Sequence, residues 1–224
     1  MNKKEIFSQI EKIYNSRKNK PTLQELDTII KLCNLGLKET IDEEIIFERG
    51  FAFKKKGNLE SALRDLKNVI NLDPNASINH EMGEIYHQQK EYEKALEFYK
   101  KELEYNPESS VTYFQIGEIY AAQKNFEKSL KYLEMAILLA PNQIEPYISR
   151  SSILYYEFNK KEESLNDINA ILRIDPTNLT YQISKACLLL ELGKQKEGAL
   201  ETKKIIQENP EQIIEIFFGQ FNKQ

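Results

Sequence analysis

Five prolines recur at a nearly constant interval and divide most of the chain into segments of similar length. The intervals are 33, 34, 35 and 34 residues. Because proline lacks an N–H group and clashes with the preceding helical turn, each of them predicts the end of a helix. A period of this length predicts a repeat protein, in which each unit buries its apolar face against its neighbours. The prolines are Pro74, Pro107, Pro141, Pro176 and Pro210, and they define five repeats at 43–75, 76–109, 110–144, 145–178 and 179–212.

Small and large residues recur at fixed places within these repeats, which predicts two antiparallel helices in each of them. We number the positions of a repeat so that its proline is position 32. Positions 8 and 20 are small, so two helices can approach closely there, and a large side chain at position 11 fills the space beside this contact. Position 8 holds Gly50, Gly83, Gly117, Ser152 and Ala186; position 11 holds Phe53, Tyr86, Tyr120, Tyr155 and Leu189; position 20 holds Ala62, Ala95, Ser129, Ser164 and Gly198.

This pattern resembles the tetratricopeptide repeat, and the resemblance covers residues 43–212. It is strongest at residues 82–107 and 116–141, in repeats 2 and 3, and weaker in repeats 4 and 5. Pentatricopeptide repeats have a similar period, but they read RNA and favour a basic surface, and the turn motif of ankyrin repeats does not match either. The resemblance implies an all-α fold, a right-handed superhelical α-solenoid of about 12–13 helices in antiparallel hairpins. It also implies a non-catalytic module that binds other proteins.

The two ends of the chain depart from the repeat, and we expect them to cover it. Residues 1–42 predict two helices, at roughly 3–18 and 23–37, the second opened by a capping box of Thr22 and Glu25. We interpret them as a degenerate N-terminal hairpin that caps one continuous solenoid domain, because terminal repeats must be atypical to stop further stacking. Residues 213–224 predict a C-terminal capping helix. The alternative is an exposed docking or dimerisation segment that uses its phenylalanines, which are Phe217, Phe218 and Phe221.

Composition excludes several classes of function. The net charge of −4 gives no basic surplus for nucleic acid, and no uncharged apolar run is long enough to span a membrane. Cys33 and Cys187 each lie in an apolar helical pattern, so we expect two buried free thiols and a cytoplasmic protein without a secretory signal. The chain has no phosphate-binding glycine loop and no nucleophile elbow, and its two histidines lie on one helix. We therefore predict no enzyme, no catalytic residue and no cofactor.

A second stripe on the first helix of each repeat predicts the binding groove. Positions 2, 5, 9 and 12 lie about 120° from the apolar stripe of positions 4, 8 and 11, and the resemblance implies that they line the concave face. In repeats 1 to 3 this stripe carries acids and phenylalanines, which suit a protein or peptide with basic side chains and apolar anchors. The alternative is a solvated acidic face whose phenylalanines contact neighbouring helices. The candidate groove residues are Glu44, Phe47, Glu48, Phe51, His80, Glu81, Glu84, His87, Phe114, Glu118 and, in repeat 4, Arg150.

Two more specific sites are not expected. Some tetratricopeptide proteins bind acidic chaperone tails through a carboxylate clamp of lysine, asparagine and arginine. The clamp positions here read Phe47, Phe51, Glu81, Val111 and Gln115, so we predict no binding of such a tail. His80, Glu84 and His87 share one helix face, but this spacing is a weak metal signal, and we expect groove residues without a metal.

The alternative function is structural. In it the apolar C-terminal end pairs two solenoids into a homodimer.

Overall fold

The structure, a computed structural model, describes residues 2–15, 20–73 and 77–213. Within these ranges it is entirely helical, with twelve α-helices and no strand, which confirms the prediction of an all-α fold built from helical hairpins. The helices are α1 (Lys3–Asn15), α2 (Leu23–Gly36), α3 (Glu43–Lys55), α4 (Leu59–Leu72), α5 (Asn79–Gln88), α6 (Tyr92–Tyr105), α7 (Ser110–Ala122), α8 (Phe126–Leu139), α9 (Glu145–Tyr156), α10 (Lys161–Ile174), α11 (Leu179–Glu191) and α12 (Gln195–Glu208).

The chain forms two compact units, Met1–Pro107 with α1 to α6 and Glu108–Gln224 with α7 to α12. Within each unit every helix packs against the next one along the chain. The core of unit 1 includes Ile6 and Ile29, which are fully buried between α1, α2 and α3. The core of unit 2 includes Ile171, which is buried equally completely.

The turn inside each hairpin recurs with the same period as the prolines. Position 15 of the repeat lies in this turn and has a positive φ in all five repeats. The described residues show a positive φ nowhere else. Glycine adopts this left-handed conformation freely, whereas other residues pay about 1–2 kcal/mol for it. The residues are Gly57 (φ 80°), Lys90 (φ 61°), Lys124 (φ 58°), Asn159 (φ 51°) and Gly193 (φ 75°).

The small residues at positions 8 and 20 bring the two helices of a hairpin into close contact, as expected. A Cβ atom at Gly83 would lie 2.5 Å from Cε1 of Tyr99, a side chain with no exposed surface. In repeat 3 the Ser129 hydroxyl donates a hydrogen bond of 2.8 Å to the carbonyl oxygen of Gly117. The second helix therefore packs directly on the backbone of the first.

In repeat 4 the structure corrects the position numbers that the sequence predicted for the first helix. Ser151 is 6% exposed and occupies the close contact that the sequence predicted for Ser152, which is exposed. Leu154 is 5% exposed and takes the place predicted for Tyr155. The reason is one extra residue in the turn, because the Lys160 N–H donates to the oxygen of Leu154, six residues back, whereas the other hairpin turns close over five. All α9 positions therefore shift by one residue.

The N-terminal capping box is confirmed. The Thr22 Oγ1 accepts from the backbone N–H of Glu25 at 3.3 Å, and the Glu25 Oε2 accepts from the N–H of Thr22 at 2.7 Å. The helix predicted at roughly 3–18 is described only as far as Asn15. Residues 210–213 are helical, but the rest of the predicted capping helix at 213–224, including its phenylalanines, lies outside the described residues.

The two thiols differ, which corrects the expectation that both are buried. Cys33 has no exposed surface, and burial raises the pKa of its thiol to about 12. Cys187 is exposed, because its neighbours Ala186 and Leu188 take the buried face of α11. Neither cysteine is in a disulfide. In the described part of the chain, no helix is long and apolar enough to cross a bilayer.

Candidate functional site

The candidate site in unit 1 is a cleft of about 390 Å³ between α1, α3 and the α4–α5 connection. Its position follows from the start of α3, where the Asp42 carboxylate accepts hydrogen bonds from the N–H groups of Glu44 and Ile45. Acidic side chains are favoured in such a first turn because the helix dipole is positive there. The cleft is lined by Phe7, Glu43, Glu44, Phe47, Glu48, Val69, Asp73, Ser77 and Ile78. We call it the acidic cleft.

The acids of this cleft outnumber the cations beside them. Lys3 lies 2.9 Å from Oε2 of Glu44 and 2.9 Å from Oδ2 of Asp42. The hydroxyl of Tyr14 is 3.5 Å from Oε2 of Glu48, which is a long and weak contact. Burial raises the pKa of Glu48, although the contact with Tyr14 opposes this. The cleft therefore keeps a negative potential in a partly desolvated place, where charges interact more strongly than in bulk water.

Aromatic rings extend the cleft along α3. The rings of Phe47 and Phe51 are stacked with their centroids 6.4 Å apart. The ammonium nitrogens of Lys54 and Lys55 each lie 5.0 Å from the centroid of Phe51. The structure thus brings together four of the sequence-predicted residues, which are Glu44, Phe47, Glu48 and Phe51. Phe51 already has cations of the same helix at its faces, whereas Phe47 lines the cleft directly.

On α5 the predicted groove residues form an ion cluster with α3. Lys54 Nζ lies 2.5 Å from Oε2 of Glu84, and His80 Nε2 lies 3.6 Å from Oε1 of the same carboxylate. The contacts with His80 and Lys54 hold the pKa of Glu84 at about 2, although burial opposes this. Glu84 in turn raises the pKa of His80. Lys54 occupies position 12 of repeat 1, which the sequence places on the groove stripe, but its side chain is buried at 6% exposure.

The two histidines do not converge on a metal site. The ring of His87 packs edge-on against Tyr92 at 5.9 Å, whereas His80 faces Glu84 and lies 5.8 Å from the ring of Tyr99. Glu81 is half-buried on the same helix. In the described ranges, no group of three or more histidine, cysteine, aspartate or glutamate side chains is arranged to hold a metal ion.

The remaining predicted residues belong to unit 2. Phe114 and Glu118 are half-buried on α7. Arg150 points into its own hairpin, where it donates two hydrogen bonds to the Asp167 carboxylate at 2.9 and 2.6 Å. After the shift of α9 these residues occupy positions 7 and 23, which also form ion pairs in repeats 1 and 5. The equivalent pairs are Arg49 with Asp65 and Lys185 with Glu201.

Unit 2 contains a second cleft, of about 280 Å³, between α9 and α11. The sequence did not reveal it, because the repeat numbering places Ile153 at position 9 of the groove stripe, and Ile153 is buried. With the extra turn residue counted, positions 9 and 12 of repeat 4 are Ser152 and Tyr155, which line this cleft. We call it the hydroxyl cleft. Its lining is Ser151, Ser152, Tyr155, Tyr156, Ser164, Ile168, Tyr181, Ile183, Ser184, Cys187, Leu188 and Glu191.

Comparison with known families agrees with this architecture. A family model described as tetratricopeptide repeat matches residues 43–75, which form repeat 1. A second model with the same description matches residues 74–142, which include repeat 2 and all but the last two residues of repeat 3. The chain contains tetratricopeptide repeats, which the two family models match over residues 43–142. No curated protein matches the sequence significantly.

Solved structures share the fold of this tetratricopeptide repeat protein at low identity. The C-terminal part of a repeat-containing protein from Cytophaga hutchinsonii is 15% identical with a TM-score of 0.74, over 91% of this chain and 78% of that one. MamA from Desulfovibrio magneticus is 16% identical with a TM-score of 0.67, over 78% and 96%. A tetratricopeptide repeat protein from Parabacteroides merdae is 16% identical with a TM-score of 0.65, over 92% and 79%. Identities this low establish the fold alone, and this fold is generally that of a non-catalytic protein-interaction scaffold.

Proposed function

We propose that this tetratricopeptide repeat protein is a non-catalytic interaction module whose acidic cleft binds a segment of a partner protein. The segment carries a lysine or arginine next to an apolar side chain. The observation that carries this proposal is the cleft itself, which is lined by Glu43, Glu44 and Glu48 together with Phe7 and Phe47.

The chain's own Lys3 shows how a cation fits at the edge of this cleft. Its ammonium nitrogen contacts Asp42 and Glu44 and lies 6.0 Å from the centroid of Phe7. A partner cation deeper in the cleft would face Glu48, which is half-buried and, among the described residues, has a long contact to the Tyr14 hydroxyl. Aromatic faces attract cations, and desolvation strengthens that attraction.

The charges of the acidic cleft also favour positively charged partners over negatively charged ones. A negatively charged peptide tail would meet several carboxylates and few free cations, so the proposal excludes acidic chaperone tails. Glu84 is neutralised by Lys54 and His80, and Arg150 by Asp167, so the proposal places neither of them in direct contact with the partner. The two free thiols support our proposal of a reducing, cytoplasmic setting.

The test is affinity capture followed by a binding measurement. Proteins captured by the full chain are identified by mass spectrometry, and the bound segment is made as a labelled peptide for fluorescence anisotropy. The variant Glu44→Gln with Glu48→Gln removes two charges of the cleft at constant side-chain size. We expect an affinity loss of about tenfold, and a binding constant that weakens with added salt, because exposed charges are screened.

A matched control keeps the same change in net charge outside the cleft. Glu60→Gln with Glu104→Gln alters two exposed acids of unit 1 that do not line the cleft. This control should bind the peptide as tightly as the unchanged chain. If both double variants bind with the same affinity, or if the captured segment is acidic, the acidic cleft is not the binding site.

A further inference from the structure

A groove of about 480 Å³ lies between α10 and α11 of unit 2, and its chemistry differs from that of both clefts described above. The described residues that line it include two amides and two cations but no acid, so we call it the amide groove. They are Asn166, Asn169, Leu172, Arg173 and Lys185. The hydroxyl cleft uses Ser164 and Ile168 of α10, so the two sites lie on different faces of that helix.

Three polar side chains of α10 in this groove have no partner among the described residues. Asn166, Asn169 and Arg173 make no hydrogen bond or ion pair there. They follow one another at intervals of three and four residues, so they share one face of the helix. Lys185, from α11, already forms an ion pair with Glu201. The groove therefore offers one free guanidinium and two free amides to a ligand.

The charge of the amide groove fits one carboxylate. The ion pair of Lys185 with Glu201 is neutral as a whole, which leaves the single positive charge of Arg173 to be balanced. A guanidinium pairs with a carboxylate through two parallel hydrogen bonds. A phosphate group carries up to about two negative charges near neutral pH, and one free cation balances only part of them. The groove therefore favours a carboxylate over a phosphate.

The two asparagines match the backbone of an extended protein segment. A side-chain amide donates through its NH₂ group and accepts through its carbonyl oxygen, as a peptide group does. Asn166 and Arg173 are seven residues apart, which corresponds to about 10 Å along α10. An extended chain rises about 3.3 Å per residue, so about three residues of a partner cover this distance. Leu172 adds an apolar contact in the same groove.

We propose that the amide groove binds an extended segment of a partner protein through one glutamate or aspartate side chain. Arg173 forms the ion pair with this carboxylate, and the two asparagines hydrogen-bond the backbone of the segment. The amide groove includes the second helix of repeat 4 and lies outside the groove stripe of the first helices. It belongs to unit 2, whereas the acidic cleft belongs to unit 1 and selects a cation, so this inference does not rest on the acidic cleft.

The test is an NMR titration of the isotope-labelled full chain with the peptide Ala-Leu-Glu-Leu-Ala. The peptide is acetylated and amidated, so it carries a single carboxylate. The side-chain amide signals of Asn166 and Asn169 and the Nε–H signal of Arg173 report directly on the groove. We expect all of these signals to shift and to saturate. The matched peptide Ala-Leu-Gln-Leu-Ala should bind about tenfold more weakly, because it lacks the charge.

A variant of the free cation tests the role of Arg173. Arg173→Gln changes an exposed side chain that has no partner among the described residues, so we expect the chain to stay folded. It should weaken binding of the glutamate peptide about tenfold, to the level of the glutamine peptide. The matched control is Arg64→Gln, which changes the same residue type at an exposed position on the second helix of repeat 1. This control should bind the glutamate peptide as tightly as the unchanged chain.

Three results would overturn the proposal. The first is that the glutamate peptide leaves the signals of the amide groove unshifted, or binds no more tightly than the glutamine peptide. The second is equal affinity of Arg173→Gln and Arg64→Gln for the glutamate peptide. The third is that inorganic phosphate shifts the same signals at a lower concentration than the peptide, which would make the groove a site for a small anion. None of these results concerns the acidic cleft, so the two proposals can fail separately.

Discussion

Replacing Glu84 with glutamine removes the centre of the ion cluster between repeats 1 and 2. The ordinary pKa of 4.5 and the folded value of about 2 correspond to about 3 kcal/mol, at 1.36 kcal/mol for each pH unit. The side chain of Glu84 is 29% exposed, so solvent screening reduces this to about 1–2 kcal/mol. Because the folded pKa is depressed, the contribution is complete above pH 4.5 and is lost as the pH falls towards 2.

The assay is chemical unfolding followed by far-UV circular dichroism at pH 7 and at pH 3. We expect Glu84→Gln to lower the free energy of unfolding by about 1–2 kcal/mol at pH 7 and by less than half of that at pH 3. The control is Glu118→Gln, at the same repeat position, for which the described residues show no ion pair; it should cost less than about 0.5 kcal/mol. Equal losses in the two variants, or a Glu84→Gln effect that does not shrink at pH 3, would refute the reasoning.

Three further substitutions test the hairpins by thermal and chemical unfolding. Gly83→Ala should cost about 1–3 kcal/mol, because the new Cβ would lie 2.5 Å from the fully buried Tyr99 ring; a neutral effect would contradict the close contact. In Gly57→Ala the new Cβ contacts no neighbouring atom, but the φ of 80° at this residue predicts a loss of about 1–2 kcal/mol in the free energy of unfolding. An unchanged free energy would mean that the turn relaxes. Asp167→Ala should cost about 3–5 kcal/mol because it leaves Arg150 half-buried without its partner; adding Arg150→Met should restore part of the loss, and no recovery would argue against a buried pair.

His80 sets the upper end of the pH range in which the ion cluster stabilises unit 1. Its folded pKa is raised above 6.5 by Glu84, so its contribution is complete below pH 6.5 and is lost as the pH rises through the folded value. Glu81 adds to this effect from the same helix, while Lys54 on α3 opposes it. The contribution of Glu84 is lost below about pH 4.5 and that of His80 above about pH 6.5. The cluster therefore contributes most to the stability of unit 1 between these two values.

The repeat made most of the fold predictable from the sequence. The prolines and the small residues act locally, through backbone geometry and close contact, so their effect can be read from spacing alone. The same holds for the capping box of Thr22 and Glu25, which needs only residues three apart. The positive φ of Lys90 and Lys124 could not be predicted from residue type, because lysine disfavours this conformation and only the repeat period marks the position.

The site was less predictable, because its charges depend on contacts between helices. The sequence places Glu84 on the groove stripe, but its neutralisation by Lys54 comes from another repeat, 30 residues away. The sequence likewise showed the acids at the start of α3 without showing that Lys3, from the N-terminal hairpin, reaches Glu44. The local charge of an acidic stripe therefore cannot be predicted from its sequence until the ion pairs between helices are known.

The register error in repeat 4 had a signal in the sequence, in the spacing of its charged residues. In repeats 1 and 5 the cation and the acid of the equivalent ion pair are 16 residues apart, as in Arg49 and Asp65. In repeat 4, Arg150 and Asp167 are 17 residues apart. The extra residue therefore lies between the pair, in the hairpin turn. Because Asp65 and Asp167 are 1% and 3% exposed, a hairpin slipped by one residue would leave a carboxylate buried without its cation. The pair thus disfavours the wrong register more strongly than the apolar contacts do, since an apolar side chain that slips by one position can often repack.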